Sequence, residues 1–318
     1  MSIIEKAASR IEHRRSPAAQ PTEAAAPVPP LNAAPALDAA APPAAVPYSA
    51  APPAAAAPAA APLPPAAPAG EAGAAPRRAR EVELDLARMQ QMGLVTAAGG
   101  RTSLVEDFRI IKRPLIKRAL APRVPGENPG NLIMITSSLP GEGKTFCAIN
   151  LAMSIAMELD NTVLLVDADV ARPSVLRTLG LPSQRGLMDV LLDEKLGLSE
   201  VMLRTNVNTL TIVPAGTPNP RATELLASQM MNNLVLEIAN RYPDRIVIFD
   251  SPPLLLTSEA HVLAGHMGQI VLVVESEKTT QHAVKESLRQ LEGCHNVNLV
   301  YNKSREFPGS ETYDYHYG

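Results

Sequence analysis

The chain has 318 residues and a net charge of −3, and its 31 prolines are about twice the number usual for a globular protein of this length. No run of about 20 apolar residues is free of proline, so we expect no membrane-spanning helix, and the charged N-terminus lacks the apolar stretch of a signal peptide. Two cysteines are too few for a disulfide framework, and we therefore expect a cytoplasmic protein.

The first 80 residues divide into a short helix and a spacer. A capping-box pattern and apolar residues at helical spacing predict a short amphipathic helix over residues 1–15, with a frayed terminus as the alternative. Alanine and proline then occupy 45 of the 60 positions from Pro17 to Pro76, which leaves little large apolar surface to offset the entropy of the chain. We therefore predict a disordered linker over residues 16–80.

Two helical segments are predicted after the linker. Val82, Leu86 and Met89 form a helical stripe, which indicates a short helix followed by a connector within residues 81–102. A longer basic helix is predicted over residues 103–120. The two helices precede the part of the chain in which strands begin.

Charge is distributed unevenly after the linker. Residues 101–123 carry seven basic and two acidic side chains, whereas residues 124–318 have a net charge of −8. Such a basic segment could bind a phosphate-bearing partner or the acidic body of a neighbouring subunit. Because Phe108 is the only aromatic residue among these charges, we do not expect nucleic acid to be the partner.

Short apolar runs alternate with helical segments from Asn131 onward. Most of the runs are apolar throughout, as expected when helices cover both faces of a parallel sheet. The alternation predicts an α/β fold with a doubly wound, mostly parallel sheet, in a domain over residues 103–304. The predicted strands are 132–135, 163–166, 210–213, 246–249, 270–274 and 297–300, and the predicted helices are 144–158, 221–241, 257–266 and 279–293.

A phosphate-binding loop follows the first of these strands. The sequence SLPGEGKT ends at Thr145 and leads directly into a helix, with Ser138 in the place of the usual first glycine. Two glycines would let backbone amides close around phosphates, Lys144 would reach those phosphates, and the Thr145 hydroxyl would bind Mg²⁺. The motif predicts a P-loop NTPase. The predicted nucleotide-binding residues are Gly141, Glu142, Gly143, Lys144, Thr145 and Phe146.

Acidic residues follow two other predicted strands. Asp167 and Asp169 come after the second strand of the domain, and Asp250 comes after the strand at 246–249. The carboxyl ends of parallel strands meet at one edge of a sheet, so we expect these side chains to lie near the phosphate loop. One acid could hold Mg²⁺ while another orients or deprotonates an attacking hydroxyl.

The phosphate loop, the VLLVDADVARP segment and the IVIFDSPP segment together resemble the bacterial tyrosine kinases of capsule and exopolysaccharide export. The VELDLARM and SLVEDFRIIKRPLI stretches are similar to the tyrosine autokinases of exosortase (PEP-CTERM) loci. The resemblance spans about residues 103–318. It implies that Lys144 and Thr145 bind ATP and Mg²⁺, that Asp167 is the base, and that Asp169 and Asp250 handle the metal.

The resemblance also implies partners and a location. It implies a membrane chain-length-determinant activator of the Wzz type, which would recruit the cytoplasmic kinase to the inner face of the plasma membrane, and a cognate tyrosine phosphatase.

Related nucleotide-binding sheets place an adenine-reading asparagine after the last strand, where this chain has Asn302; a simple turn residue is the alternative.

The C-terminal tail, residues 305–318, contains three of the six tyrosines. Tyr313, Tyr315 and Tyr317 alternate along the chain, so an extended tail would place them on one side, roughly 6.5 Å apart. We predict that they are the phosphoacceptors of an autokinase. An edge strand that packs its tyrosines on the body of the protein is the alternative.

Glu106, Arg109 and Lys112 recur every three residues in the basic helix, which predicts that they lie on one charged face. They resemble the family motif Glu-x-x-Arg-x-x-Arg at the interface of a ring-shaped oligomer, with Lys112 in the place of the second arginine. Arg113 could take part of that role. An exposed charged face without a partner is the alternative.

Two other functions are compatible with the phosphate loop. One is a switch ATPase of the Min/Par partition type, although those proteins carry a signature lysine where this chain has Leu139. The other is a non-catalytic, nucleotide-dependent scaffold of an export complex. Phosphorylation of the tail would distinguish an autokinase from both.

Overall fold

The computed structural model describes residues 80–241 and 244–304. The predicted helix over 1–15, almost all of the predicted linker and the three tail tyrosines lie outside those residues. None of the helices in the described part of the chain combines the length and hydropathy that a membrane span requires. The strands are β1 (Arg80–Val82), β2 (Leu132–Ser137), β3 (Thr162–Asp167), β4 (Leu203–Thr205), β5 (Leu210–Val213), β6 (Arg245–Asp250), β7 (Gln269–Glu275) and β8 (Val297–Asn302).

The strands form one sheet in the order β1-β4-β5-β3-β6-β2-β7-β8. Every neighbouring pair is parallel except β4 and β5, which run antiparallel. The predicted doubly wound, mostly parallel sheet is therefore confirmed. The two strands that the sequence did not predict, β1 and β4, lie together at one edge.

Ten helices connect the strands of the described residues. The predicted helix over 221–241 is wrong in one respect, because the chain forms two helices there, separated by Ala227 and Ser228. The helices are α1 (Leu86–Gln91), α2 (Ser103–Ala119), α3 (Lys144–Ala156), α4 (Val175–Leu179), α5 (Leu187–Leu192), α6 (Leu198–Val201), α7 (Ala222–Leu226), α8 (Gln229–Arg241), α9 (Ser258–Ala264) and α10 (Gln281–Gln290).

The core has two halves, one on each face of the sheet. Successive side chains of a strand point to opposite faces, so Leu132 and Met134 pack in one cluster while Ile133 and Ile135 pack in the other. All four are at most 1% exposed. Covering both faces explains why β2 is apolar at successive positions and does not alternate with polar residues.

The segment before α2 packs on the same core. Val82, which we assigned to a helical stripe, lies instead in β1 and pairs with Thr205, and the helix begins only at Leu86. Leu84 and Val95 are each 2% exposed in the cluster that also contains the residues of α3. The folded unit therefore extends at least to β1, well before residue 103.

Lys112 does not share the exposed charged face that the sequence suggested. It is 4% exposed, its Nζ donates a 2.6 Å hydrogen bond to the Ser154 carbonyl, and it forms a 2.6 Å ion pair with Glu158. Each step of three residues turns a helix by about −60°, so Lys112 lies about 120° around α2 from Glu106. The lysine joins α2 to the end of α3 within one subunit.

Candidate functional site

The phosphate loop joins β2 to α3 with two glycines in left-handed conformation. Gly141 has a φ of 85° and Gly143 a φ of 97°, values that glycine adopts far more readily than other residues. Lys144 is the first residue of α3, so the free amides at the start of this 13-residue helix face the loop. A loop of this form at a helix N-terminus is suited to bind phosphate.

Strand pairing brings the predicted acidic residues to this loop. Asp167 at the end of β3 is directly opposite Asp250 at the end of β6. The Thr145 hydroxyl donates a 2.7 Å hydrogen bond to Oδ2 of Asp250, and Lys144 forms a 2.6 Å ion pair with Asp169. Five residues that the sequence analysis selected for nucleotide and metal chemistry therefore share one edge of the sheet.

Asp167 has the environment of a proton acceptor. Its Oδ2 accepts hydrogen bonds from the backbone amides of Ser174 and Val175 at 3.1 and 3.0 Å, while its buried Oδ1 has no partner among the described residues. Burial raises the pKa of Asp167 to about 6, against the lowering effect of the two amides. A carboxylate with a pKa near neutrality can both accept and release a proton.

Asp250 is buried more completely. It is 0% exposed, and burial raises its pKa to about 7 although the charge of Lys144 acts in the opposite direction. Its Oδ1 also has no hydrogen-bond partner within the described residues. A buried carboxylate oxygen without a partner carries an uncompensated cost of desolvation, which a cation would remove.

The site fits a divalent cation only together with phosphate. Within residues 80–241 and 244–304, no three His, Cys, Asp or Glu side chains are grouped as a metal site. Mg²⁺ usually takes one or two carboxylates and completes its six ligands with substrate phosphates and water. The Thr145 hydroxyl and the unpartnered oxygen of Asp250 are a ligand set of that kind.

The end of β8 closes the phosphate loop from outside. The Asn302 amide donates a 2.8 Å hydrogen bond to the carbonyl of Glu142, and Lys303 donates one of 2.7 Å to the carbonyl of Gly141. The Glu142 carboxylate is 2% exposed and accepts hydrogen bonds from the Leu139 amide and the Thr279 hydroxyl. An adenine-reading role for Asn302 stays a prediction.

Three residues of the site were missed by the sequence analysis. The Ser174 hydroxyl lies 2.8 Å from that of Thr145, and Thr279 and Lys303 hold the loop as described. Lys303 is adjacent to Asn302, which the sequence analysis did select, whereas Ser174 and Thr279 lie in loops that no motif marked. All three reach the site through the tertiary fold.

The remaining predicted residues lie away from these acids. Phe146 is half-buried and packs against the core cluster that contains α3, so its place at the nucleotide stays a prediction. Glu106 and Arg109 form a 2.5 Å ion pair on the exposed side of α2. Their role in an oligomer interface also stays a prediction.

Comparison with known proteins identifies the family. Residues 130–303 match the sequence family described as AAA domain. The chain is 36% identical over 162 residues to the tyrosine-protein kinase YwqD of Bacillus subtilis, covering 51% of this chain and 67% of YwqD. It is 29% identical to the putative tyrosine-protein kinase CapB of Staphylococcus aureus, covering 60% of this chain and 83% of CapB.

Solved structures give the same result. The kinase domain of the Escherichia coli tyrosine kinase ETK has a TM-score of 0.54 and 29% identity, with 64% of this chain and 78% of that chain covered. The chimerical protein CapA2B2 has a TM-score of 0.58 and 26% identity, with 70% and 99% covered. Other relatives are longer, and the chain spans only 26% of the tyrosine-protein kinase wzc of Salmonella typhimurium.

The family match covers more than half of the chain, and the alignment with YwqD covers two thirds of that kinase. The strand ends that carry Asp167, Asp250 and the phosphate loop all lie within the matched residues. The chain therefore belongs to the AAA domain family and, within it, to the bacterial tyrosine-protein kinases.

Proposed function

We propose that the chain is an ATP-dependent tyrosine autokinase that phosphorylates Tyr313, Tyr315 and Tyr317 of a neighbouring copy. The observation that supports this most directly is that Asp167, a buried carboxylate with a pKa of about 6, lies at the same sheet edge as the phosphate loop. A phosphate loop alone would suit many ATPases. A carboxylate able to take a proton from a hydroxyl suits phosphoryl transfer to tyrosine.

In this proposal the residues of the site have separate roles. Lys144 and the N-terminal amides of α3 would bind the β- and γ-phosphates of ATP, for which Lys144 must leave its ion pair with Asp169. Thr145 and Asp250, with Asp169, would hold Mg²⁺, which supplies charge neutralisation of the phosphates when bound. Asp167 would orient the tyrosine hydroxyl and accept its proton; with a pKa of about 6 it is mostly ionised at pH 7.

The proposal includes regulation by partners. A membrane chain-length-determinant protein of the Wzz type would recruit the kinase to the inner face of the plasma membrane and activate it. Glu106 and Arg109, which lie on the solvent side of α2, would contribute to a ring-shaped homo-oligomer, with the exposed Arg113 beside them. Phosphorylation of the tail, reversed by a cognate phosphatase, would regulate exopolysaccharide polymerisation and export.

The test uses two versions of the full chain. Lys144→Ala with an intact tail is the recipient, and a Tyr313→Phe, Tyr315→Phe, Tyr317→Phe variant with an intact site is the donor. With ATP and Mg²⁺, mass spectrometry should find phosphate on the tail of the recipient only when the donor is present.

Two outcomes would contradict the proposal. The first is an unlabelled tail even when the cytoplasmic segment of an activator is added, in which case ATP hydrolysis without labelling would favour a switch ATPase. The second is labelling of the Lys144→Ala chain when it is incubated alone, because that would show phosphorylation without this phosphate loop.

A further inference from the structure

Two peptide units of the phosphate loop are held from the side of the last strand. The Lys303 ammonium donates to the carbonyl of Gly141 at 2.7 Å, and the Asn302 amide donates to the carbonyl of Glu142 at 2.8 Å. In a trans peptide unit the carbonyl and the N–H that follows it point in opposite directions, and the described residues contain no cis peptide bond. Holding the Gly141 carbonyl therefore fixes the direction of the Glu142 N–H, and holding the Glu142 carbonyl fixes that of the Gly143 N–H.

These two N–H groups are available to a ligand. Neither the backbone amide of Glu142 nor that of Gly143 donates a hydrogen bond to any residue within 80–241 and 244–304. Because their peptide carbonyls are held on the side of β8, the N–H groups point to the opposite side of the loop. Backbone amides presented in this way by a glycine-containing loop at a helix N-terminus bind phosphate. The direction of these amides is therefore a property on which nucleotide affinity depends.

The backbone of Lys303 is bent in a way that allows its contact with the loop. Successive side chains of a strand point to opposite faces, so a regular continuation of β8 would not direct both Asn302 and Lys303 to the same loop. Lys303 instead has a φ of 58°, in the left-handed region that is uncommon for residues other than glycine. Such a conformation costs free energy and persists where the surrounding structure requires it.

The end of β7 fixes the same lysine from a second direction. The carboxylate of Glu275 lies 3.2 Å from the Lys303 ammonium and 3.3 Å from that of Lys278. Both lysines are exposed and share this one acidic partner, but Lys278 has no hydrogen bond with the phosphate loop. The two lysines therefore differ in their contact with the Gly141 carbonyl, which makes Lys278 a matched control for Lys303.

We propose that Lys303 is a positioning residue of the nucleotide site: by holding the Gly141 carbonyl, it keeps the Glu142 amide directed at the phosphates of the nucleotide. The proposal rests on the ATP site of the function proposed above, but not on the transfer of phosphate to tyrosine. Lys303 thus acts through the loop, whereas Lys144 would contact the phosphates itself. Because exposed ion pairs contribute little to stability, the loss of Lys303 should weaken nucleotide binding and leave the fold intact.

The first experiment measures nucleotide affinity and stability on the same proteins. A fluorescent ADP analogue with Mg²⁺ is titrated with the full chain, with Lys303→Met, with Lys303→Arg and with the control Lys278→Met. Lys303→Met should bind about tenfold more weakly, and Lys278→Met should bind as the unchanged chain does. Lys303→Arg should recover most of the affinity, because a guanidinium can still donate to the carbonyl. Urea unfolding should give the same free energy of unfolding for all four proteins.

Three results would overturn the proposal and leave the ATP site standing. These are full affinity in Lys303→Met, an equal loss of affinity in Lys278→Met, and a loss of affinity in Lys303→Met that is matched by a loss of stability. Failure of the unchanged chain to bind the nucleotide would overturn the ATP site, and this inference with it.

The second experiment observes the loop amides themselves by NMR on isotope-labelled protein. Saturating ADP with Mg²⁺ should move the amide signals of Glu142 and Gly143 downfield in the unchanged chain, because both amides then bond to phosphate. In Lys303→Met the signal of Glu142 should lose most of this shift, while that of Gly143, whose peptide unit Asn302 holds, should keep it. Equal shifts of the Glu142 signal in the two proteins, or an equal loss at both amides, would overturn the proposal.

Discussion

The amide of Asn302 donates its 2.8 Å hydrogen bond to the Glu142 carbonyl at the place where a side chain on Gly143 would stand. A Cβ atom at Gly143 would lie 2.0 Å from Nδ2 of Asn302. Glycine is therefore required there for two reasons, the φ of 97° and the close approach of the last strand. The phosphate loop is closed by a residue 159 positions further along the chain.

We expect Gly143→Ala to weaken nucleotide binding at least about tenfold, because the new methyl group displaces Asn302 and strains the loop. Gly293→Ala is the matched control, since Gly293 has a φ of 92° and no atom within 4 Å of the added Cβ. Titration with a fluorescent ATP analogue would measure both. Gly143→Ala/Asn302→Ala should bind more tightly than Gly143→Ala alone, and failure to do so would contradict the role of Asn302.

The buried carboxylates predict a stability that falls as the pH rises. The pKa of Asp250 is about 7 in the folded protein against an ordinary value of 3.8, so between these values the folded state binds more protons than the unfolded state. The free energy of unfolding therefore decreases through that window. Asp250→Asn should be more stable than the unchanged chain by about 1–3 kcal/mol at pH 8, with little difference at pH 4.

Urea unfolding at the two pH values would measure this difference. Asp160→Asn, at an exposed position, is the control and should leave the pH profile unchanged. A destabilised Asp250→Asn variant at pH 8 would show that the ionised carboxylate is well compensated, contrary to the prediction.

Asn150 fixes the segment before α2 to the phosphate-loop helix. Its Oδ1 accepts a 2.6 Å hydrogen bond from the buried amide of Val95, and its Nδ2 donates to the Phe146 carbonyl. Asn150→Ala leaves the Val95 amide buried without a partner, so we expect a loss of about 1–3 kcal/mol in the free energy of unfolding. Asn298→Ala loses only an exposed hydrogen bond and is the control, so its free energy of unfolding should change little. Chemical denaturation would measure both variants.

Replacing Lys112 by alanine should destabilise the protein far more than replacing its neighbour Arg113. Lys112→Ala removes a buried hydrogen bond to Ser154 and an ion pair, so we expect a loss of about 2–4 kcal/mol in the stability of the single subunit. Arg113→Ala, at an exposed position, should change stability by less than about 0.5 kcal/mol. Denaturation of dilute, monomeric protein would separate the two, and similar losses would contradict the burial of Lys112.

The sheet was predictable where the sequence is apolar. The strands β2, β3 and β6 are runs whose side chains are buried on both faces, so composition alone marks them. The strands β1 and β4 have three residues each; β1 forms only by pairing with β4, more than 100 residues away, although β4 also pairs with the nearby β5. No local pattern records such a pairing, and Val82 was therefore assigned to a helix.

The site was predictable where a motif carries it. The phosphate loop and the strand-end acids combine a fixed spacing with a fixed position in the fold, and they do meet at one sheet edge. Ser174 and Thr279 reach that edge from loops, and their position depends on how the whole chain packs. Lys112 was misplaced because the three-residue spacing drifts around a helix, which a linear motif does not reveal.

The two outermost strands have a consequence for assembly. β1 and β8 stand at opposite edges of the eight-stranded sheet, roughly 30 Å apart at the usual spacing between strands. The chain therefore enters the domain on one flank and leaves it on the other. A protein that binds along β1 and one that binds along β8 would therefore contact separate surfaces of the domain, so neither would exclude the other.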